Sequence, residues 1–105
     1  MSTLSTHVLD TARGVPAAGV PLRLEVRQGA GWRGIGRGVT DEDGRLRTLP
    51  SIDAGTYRLI FDTGAYNPDS FFPVVTIEFV VRDPGQHYHV PLLLSPFGYS
   101  TYRGS

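Results

Sequence analysis

Leu22-Arg23-Leu24-Glu25-Val26-Arg27 alternates apolar and charged side chains with a period of two, the pattern of a β-strand with one face in a core and the other in water. The period returns at Tyr57, Leu59 and Phe61 around Arg58 and Ile60, and at Val75, Ile77 and Phe79 around Thr76 and Glu78. Turn signals separate these runs: Arg13-Gly14, Gly29-Ala30-Gly31, Asp41 to Gly44, Asp53-Ala54-Gly55 and Asp83-Pro84-Gly85. The pattern predicts about eight short strands, near residues 4–9, 21–27, 32–39, 45–48, 56–62, 74–81, 87–95 and 98–104. Short strands at this spacing argue for an all-β sandwich. Only 63–73, with Asn67-Pro68-Asp69-Ser70 inside it, breaks the rhythm, and it has room for one short helix.

The 105 residues fit a single domain, 1–105, able to bury roughly two thirds of the surface its unfolded chain exposes. Ten basic and ten acidic residues cancel, and the basic ones are scattered singly, so neither nucleic acid nor an acidic membrane surface is an expected partner. Cysteine is absent, which excludes disulfides, thiolate catalysis and thiolate metal sites. Every basic side chain is arginine, so there is no lysine for Schiff-base chemistry. Residues 1–10 lack a basic segment followed by an apolar one, and no apolar run approaches a membrane span. The expectation is a soluble, cytoplasmic protein.

Residues 87–95 are apolar on both faces. Tyr88, Val90, Leu92 and Leu94 make a core face, while the other carries His87, His89, Pro91, Leu93 and Ser95. In a two-layer sandwich the second face needs a cover, and in so short a chain the expected cover is another subunit. Near the N-terminus Leu4, Thr6 and Val8 oppose Ser5, His7 and Leu9, so His7 and His89 are expected to share an outward, subunit-covered face.

His87 and His89 point the same way and form half a metal site at most; a third ligand would have to be His7 or a distant carboxylate, so no metal is expected. The ordinary roles are an exposed, turn-proximal His87, hydrogen-bonded structural His7 and His89, a solvated Arg45 leaving its turn, and Tyr102 and Arg103 on the rim of an edge strand. The serines lack a GxSxG elbow, and GIGRG at 34–38 lacks the spacing and following helix of a dinucleotide loop.

Three segments in order, LSTHVLDTARGVPAAGVPLRL at 4–24, TDEDGRL at 40–46 and HYHVPLLLSPFGYSTYRGS at 87–105, resemble the 5-hydroxyisourate hydrolases, the transthyretin-related enzymes of urate breakdown. The resemblance runs from Leu4 to Ser105. It implies a transthyretin-like sandwich of two four-stranded sheets with one short helix, assembled as a homotetramer whose subunit faces form a channel holding the active site. By the same resemblance His7, Arg45, His89 and Ser105 are catalytic, and His7, Arg45, Tyr102, Arg103 and Gly104 bind substrate. The implied reaction hydrolyses the cyclic amide of 5-hydroxyisourate, giving 2-oxo-4-hydroxy-4-carboxy-5-ureidoimidazoline, with no metal or cofactor.

These residue types suit that chemistry. A histidine can orient or deprotonate water near neutral pH, with His7 expected to position water alongside His89. Arg45 offers a planar fork for carbonyl oxygens. Tyr102 offers a phenolic hydrogen bond and stacking area, and Ser105 a hydroxyl and the chain's α-carboxylate. Two other functions share the sequence pattern: a transthyretin-like small-molecule binding protein, and a noncatalytic module of the kind attached to larger proteins. A channel for an apolar hormone, however, has little use for His7, Arg45, His89 and Tyr102.

Overall fold

A computed structural model describes residues 1–105. The strands are β1 (Thr3–Asp10), β2 (Val15–Pro16), β3 (Pro21–Gln28), β4 (Gly31–Val39), β5 (Arg45–Leu46), β6 (Gly55–Phe61), β7 (Val75–Val81), β8 (His87–Ser95) and β9 (Gly98–Thr101), with one helix, α1 (Thr63–Tyr66), between β6 and β7. One antiparallel sheet runs β4-β3-β6-β7; the other runs β2-β1-β8-β9, with β5 also pairing β1. The sandwich and its single short helix follow the sequence expectation. The difference lies at one edge of β1, where β5 pairs at Thr6 and His7 and the two-residue β2 pairs beyond it at Leu9 and Asp10.

Alternation builds the core. Leu22, Leu24, Leu59, Phe61, Val75 and Ile77 from one sheet meet Leu4, Val8, Tyr88, Val90, Leu92 and Leu94 from the other, all buried in one hydrophobic cluster. Each such side chain contributes roughly 1.5–3 kcal/mol by leaving water. Thr6 lies on this inner face and is fully buried; its hydroxyl donates to the Val90 carbonyl at 2.6 Å, so the polar group is satisfied. GIGRG sits in β4, where a bulge opposite Leu24 and Glu25 absorbs one extra residue. Gly38 leaves room there for Leu46, whose nearer methyl group would lie 2.8 Å from a Cβ at this position and would have to shift.

Helix α1 is short because its signals are. Asp62 accepts from the Ala65 N–H at its start, and Asn67-Pro68 ends it. It is pinned to the second sheet by the Tyr66 hydroxyl, which donates to Asp10 at 2.7 Å.

Strands β1 and β8 pair in parallel, Thr3 opposite His87, Ser5 opposite His89 and His7 opposite Pro91. Because neighbours two apart share a face, this register lays Ser5, His7, His87 and His89 on the outward side of the sheet. Strand β9 ends at Thr101, short of the predicted 104, and the chain leaves the ladder to make one isolated bridge between Gly104 and His89.

Candidate active site

The TDEDGRL segment is a turn that fixes where Arg45 stands. Asp41 Oδ1 accepts the backbone N–H of Asp43 at 2.9 Å and of Arg45 at 3.0 Å, and these bonds, led by the one from Arg45, hold its carboxyl below the usual range. Gly44 takes φ +74°, which suits glycine, and its carbonyl receives the Val8 N–H at 2.7 Å. The turn is thereby locked to β1, and Arg45 pairs directly with His7. Cross-strand partners keep Cβ atoms within about 5.5 Å, so guanidinium and imidazole leave the same patch of sheet.

His7 Nε2 lies 2.9 Å from the Asp43 carbonyl and therefore carries the proton it donates. In the neutral ring Nδ1 is left as an acceptor. Arg45 is half-buried and its guanidinium has no ion pair; both ion pairs of the molecule, Arg23–Glu25 and Arg58–Glu25, lie on the other sheet.

His89 is half-buried, and its pKa is held below the ordinary value of 6.5, first by desolvation and then by the positive charges of His7, Arg45 and His87. The neutral form of its imidazole is thereby favoured. Nδ1 lies 2.8 Å from Ser5 Oγ, which leaves Nε2 for other work. His89 opens onto a cleft of about 400 Å³, within the usual span of small-molecule sites, whose wall includes Ser5, Arg45, Arg47, His87 and Ser105.

The C-terminal candidates divide into two groups that meet at His89. Gly104 donates its N–H to the His89 carbonyl at 2.8 Å, and Ser105 beyond it lines the Arg45 cleft. Arg103 instead donates to Gln86 Oε1 at 3.0 Å and lies 4.6 Å above the Tyr88 ring. Together with the exposed Tyr102 it lines a separate hollow of about 530 Å³ against β7.

Gly104 is held to glycine by a close approach. A Cβ there would sit 2.5 Å from His89 Cδ2. Gly104→Ala is therefore expected to displace either the imidazole or the terminal segment, lowering kcat at least tenfold in steady-state kinetics while thermal unfolding stays within a few degrees of wild type, since no core contact is involved.

The family model described as HIUase/Transthyretin family matches residues 4–104. This chain belongs to the HIUase/transthyretin family. A 5-hydroxyisourate hydrolase of Salmonella dublin is 48% identical over 109 aligned positions, covering 97% of this chain and 80% of that protein. The 5-hydroxyisourate hydrolase structure from Klebsiella pneumoniae superposes with a TM-score of 0.89 at 40% identity, all of both chains being covered. Sea bream transthyretin, solved in complex with thyroxine, superposes with 0.92 at 36% identity, covering 97% of this chain and 94% of that one. Within the family the fold alone therefore does not separate a hydrolase from a thyroxine-binding relative, and the discrimination falls to the side chains of the cleft.

Among the cleft residues that the sequence reading did not assign to the site are Arg47 and His87. Arg47 adds a second guanidinium; two residues beyond Arg45, it looked like one more scattered surface arginine. His87 is exposed, as its position after a turn suggests, yet both ring nitrogens are engaged: Nδ1 with Thr3 Oγ1 at 2.6 Å and Nε2 with Ser5 Oγ at 2.9 Å. The signal for it was the parity of Thr3 and Ser5 against His87 and His89, which has meaning only once β1 and β8 are known to pair in parallel. No three His, Cys, Asp or Glu side chains converge as a metal site.

Proposed function

We propose that this protein hydrolyses 5-hydroxyisourate, opening its six-membered ring at the cyclic amide to give 2-oxo-4-hydroxy-4-carboxy-5-ureidoimidazoline, a step of urate breakdown. The observation that carries the proposal is an Arg45 guanidinium without an ion pair lining the same cleft as His89, whose Nδ1 is engaged by Ser5 and whose Nε2 is left for water. Residues 1–105 act as one hydrolase domain.

Hydrolysis needs a base for water, a partner for the carbonyl oxygen as it becomes negative, and a grip on a flat polar ring. His89 takes the proton of the attacking water at Nε2, and His7, its Nε2–H spent on Asp43, accepts a hydrogen bond from that water at Nδ1. Arg45 and Arg47 supply the positive field, Arg45 meeting the developing oxyanion with its planar fork. Ser105 adds a hydroxyl at the cleft wall, and Gly104 keeps the terminal backbone against His89. Tyr102 and Arg103, on the other flank of His89, are assigned to substrate binding in the assembled channel. No step uses a metal or cofactor. The cytoplasm is the expected compartment for this metabolic role.

The assembly is a homotetramer. The outward face of β8 keeps Leu93 only half-buried, and Val80, Phe97, Tyr99 and Tyr102 are exposed on the edge strands, the turn before β9 and the segment after it, apolar surface that subunit contacts would cover. Light scattering at micromolar concentration is expected to give four times the 11.5 kDa chain mass, and a monomer would contradict the channel.

The binding-protein reading has the fold in its favour but not the polarity of the cleft. The rate of label uptake from water enriched in heavy oxygen separates the two. One label atom is expected in the new carboxylate of the product, appearing at a rate proportional to protein concentration, whereas with a binding protein the label appears no faster than the spontaneous reaction puts it there.

A further inference from the structure

Four side chains form a continuous hydrogen-bonded file across β1 and β8. Thr3 Oγ1 lies 2.6 Å from His87 Nδ1, His87 Nε2 lies 2.9 Å from Ser5 Oγ, and Ser5 Oγ lies 2.8 Å from His89 Nδ1. The imidazoles are nearly parallel, 19° apart, but their centroids are 6.5 Å apart, so the Ser5 hydroxyl is what connects them. The file starts at the half-buried His89 and ends at the exposed His87 and Thr3.

We propose that His87 is a positioning residue which, through Ser5, sets and resets the tautomer of His89 by relaying protons between the cleft and solvent. The proposal rests on the hydrolase reading above. A hydroxyl has one proton to give, so the file can be polarised only as a whole. In one polarity His89 Nδ1–H donates to Ser5 Oγ, the Ser5 hydroxyl donates to His87 Nε2, and His87 Nδ1–H donates to Thr3 Oγ1. His89 Nε2 then presents a lone pair and serves as the base.

When water gives a proton to Nε2, its O–H bond breaks as the new N–H bond forms. The Nδ1 proton moves to Ser5, the Ser5 proton to His87 Nε2, the His87 Nδ1 proton to Thr3, and the Thr3 proton to bulk water. One proton enters and one leaves, and no charge stays on His89, which shares its cleft with the Arg45 guanidinium on β5. The reversed polarity leaves Nε2–H, the donor that the departing ring nitrogen requires. As that proton is given up, the file runs back and solvent replaces it at Thr3. The same imidazole thus acts as base and then as acid.

The test pairs steady-state kinetics with ¹⁵N NMR of the histidine rings in the full protein. Ser5→Ala and His87→Phe are expected to lower kcat by about tenfold or more, part of the ~10²–10⁴-fold available to general acid–base catalysis, with KM within about threefold of wild type. Ser5→Thr, which keeps the hydroxyl, is expected to recover most of kcat, and the His89 Nδ1 resonance is expected to shift in Ser5→Ala but not in Ser5→Thr. Unchanged kcat in Ser5→Ala and His87→Phe, or a Ser5→Thr variant as slow as Ser5→Ala, overturns the relay. If the wild-type protein has no hydrolase activity the functional reading fails, and the relay is then judged by NMR alone: a His89 Nδ1 resonance unmoved in Ser5→Ala overturns it.

Discussion

Arg45→Ala lowers kcat/KM for 5-hydroxyisourate by about 10²- to 10³-fold, the loss usual when one preorganised oxyanion donor is removed, and leaves the fold in place. Structure and function separate cleanly at this residue. Its backbone N–H holds the turn through Asp41 and its backbone pairs with His7, whereas its guanidinium has no ion pair within the chain. Truncation therefore removes charge from the cleft without unpicking a structural bond. Arg45→Lys recovers only part of the loss, because an ammonium restores the charge but not the planar pair of donors. Circular dichroism superposable on wild type, together with the kinetic loss, is the expected result; wild-type turnover in Arg45→Ala would remove the residue from the site.

His89→Gln lowers kcat by about 10²- to 10⁴-fold, the contribution of a positioned general base. Its pH dependence supplies the finer check. Desolvation, followed by the charges of His7, Arg45 and His87, pushes the His89 pKa below its ordinary 6.5, so the acid limb of the wild-type kcat/KM profile, which reports the free protein, is expected below that value. His89→Gln should lose this limb along with its rate. Stability follows the same sign. The unfolded chain binds the proton more readily than the folded one, so stability rises with pH between the folded value and about 6.5 and falls as the pH drops through that window. An acid limb above 6.5 in the wild type would contradict the assignment of His89 as the base.

The strands that build the core were legible because burial on one face writes a period of two into the chain, as Leu22-Leu24-Val26 and Val75-Ile77-Phe79 show. The apolar outer face of β8 was legible for the same reason, and its excess over what one sheet can bury pointed to a further covering surface. Alternation says nothing about which strand lies beside which. The parallel pairing of β1 with β8 is long-range, and without it Ser5 and Thr3 have no reason to be set beside His87 and His89. The two-residue β2 was invisible because its pairing comes from docking: Ala17 N–H reaches the Val8 carbonyl beside the Gly44 turn. The last strand ends early for a similar reason, since 102–105 bend away to bring Gly104 to His89.

The glycine at 104 shows how sequence and structure divide the work. Family resemblance marks the terminal motif but gives no physical reason for a glycine within it. The space beside His89 Cδ2 supplies that reason, and the same bridge brings Ser105 to the cleft. Conversely, the sandwich is shared with sea bream transthyretin, solved in complex with thyroxine, so the argument for chemistry rests on Arg45, Arg47 and His89 in the cleft and on His7 paired with Arg45.

The most direct measurement generates 5-hydroxyisourate in place from urate and follows its ultraviolet absorbance with and without catalytic amounts of the protein. The predicted result is a decay whose rate rises in proportion to protein concentration, with many substrate molecules consumed per chain. A decay at the spontaneous rate whatever the protein concentration, or loss of free substrate that stops at one molecule per site, would contradict hydrolysis and return the molecule to the binding proteins of its family.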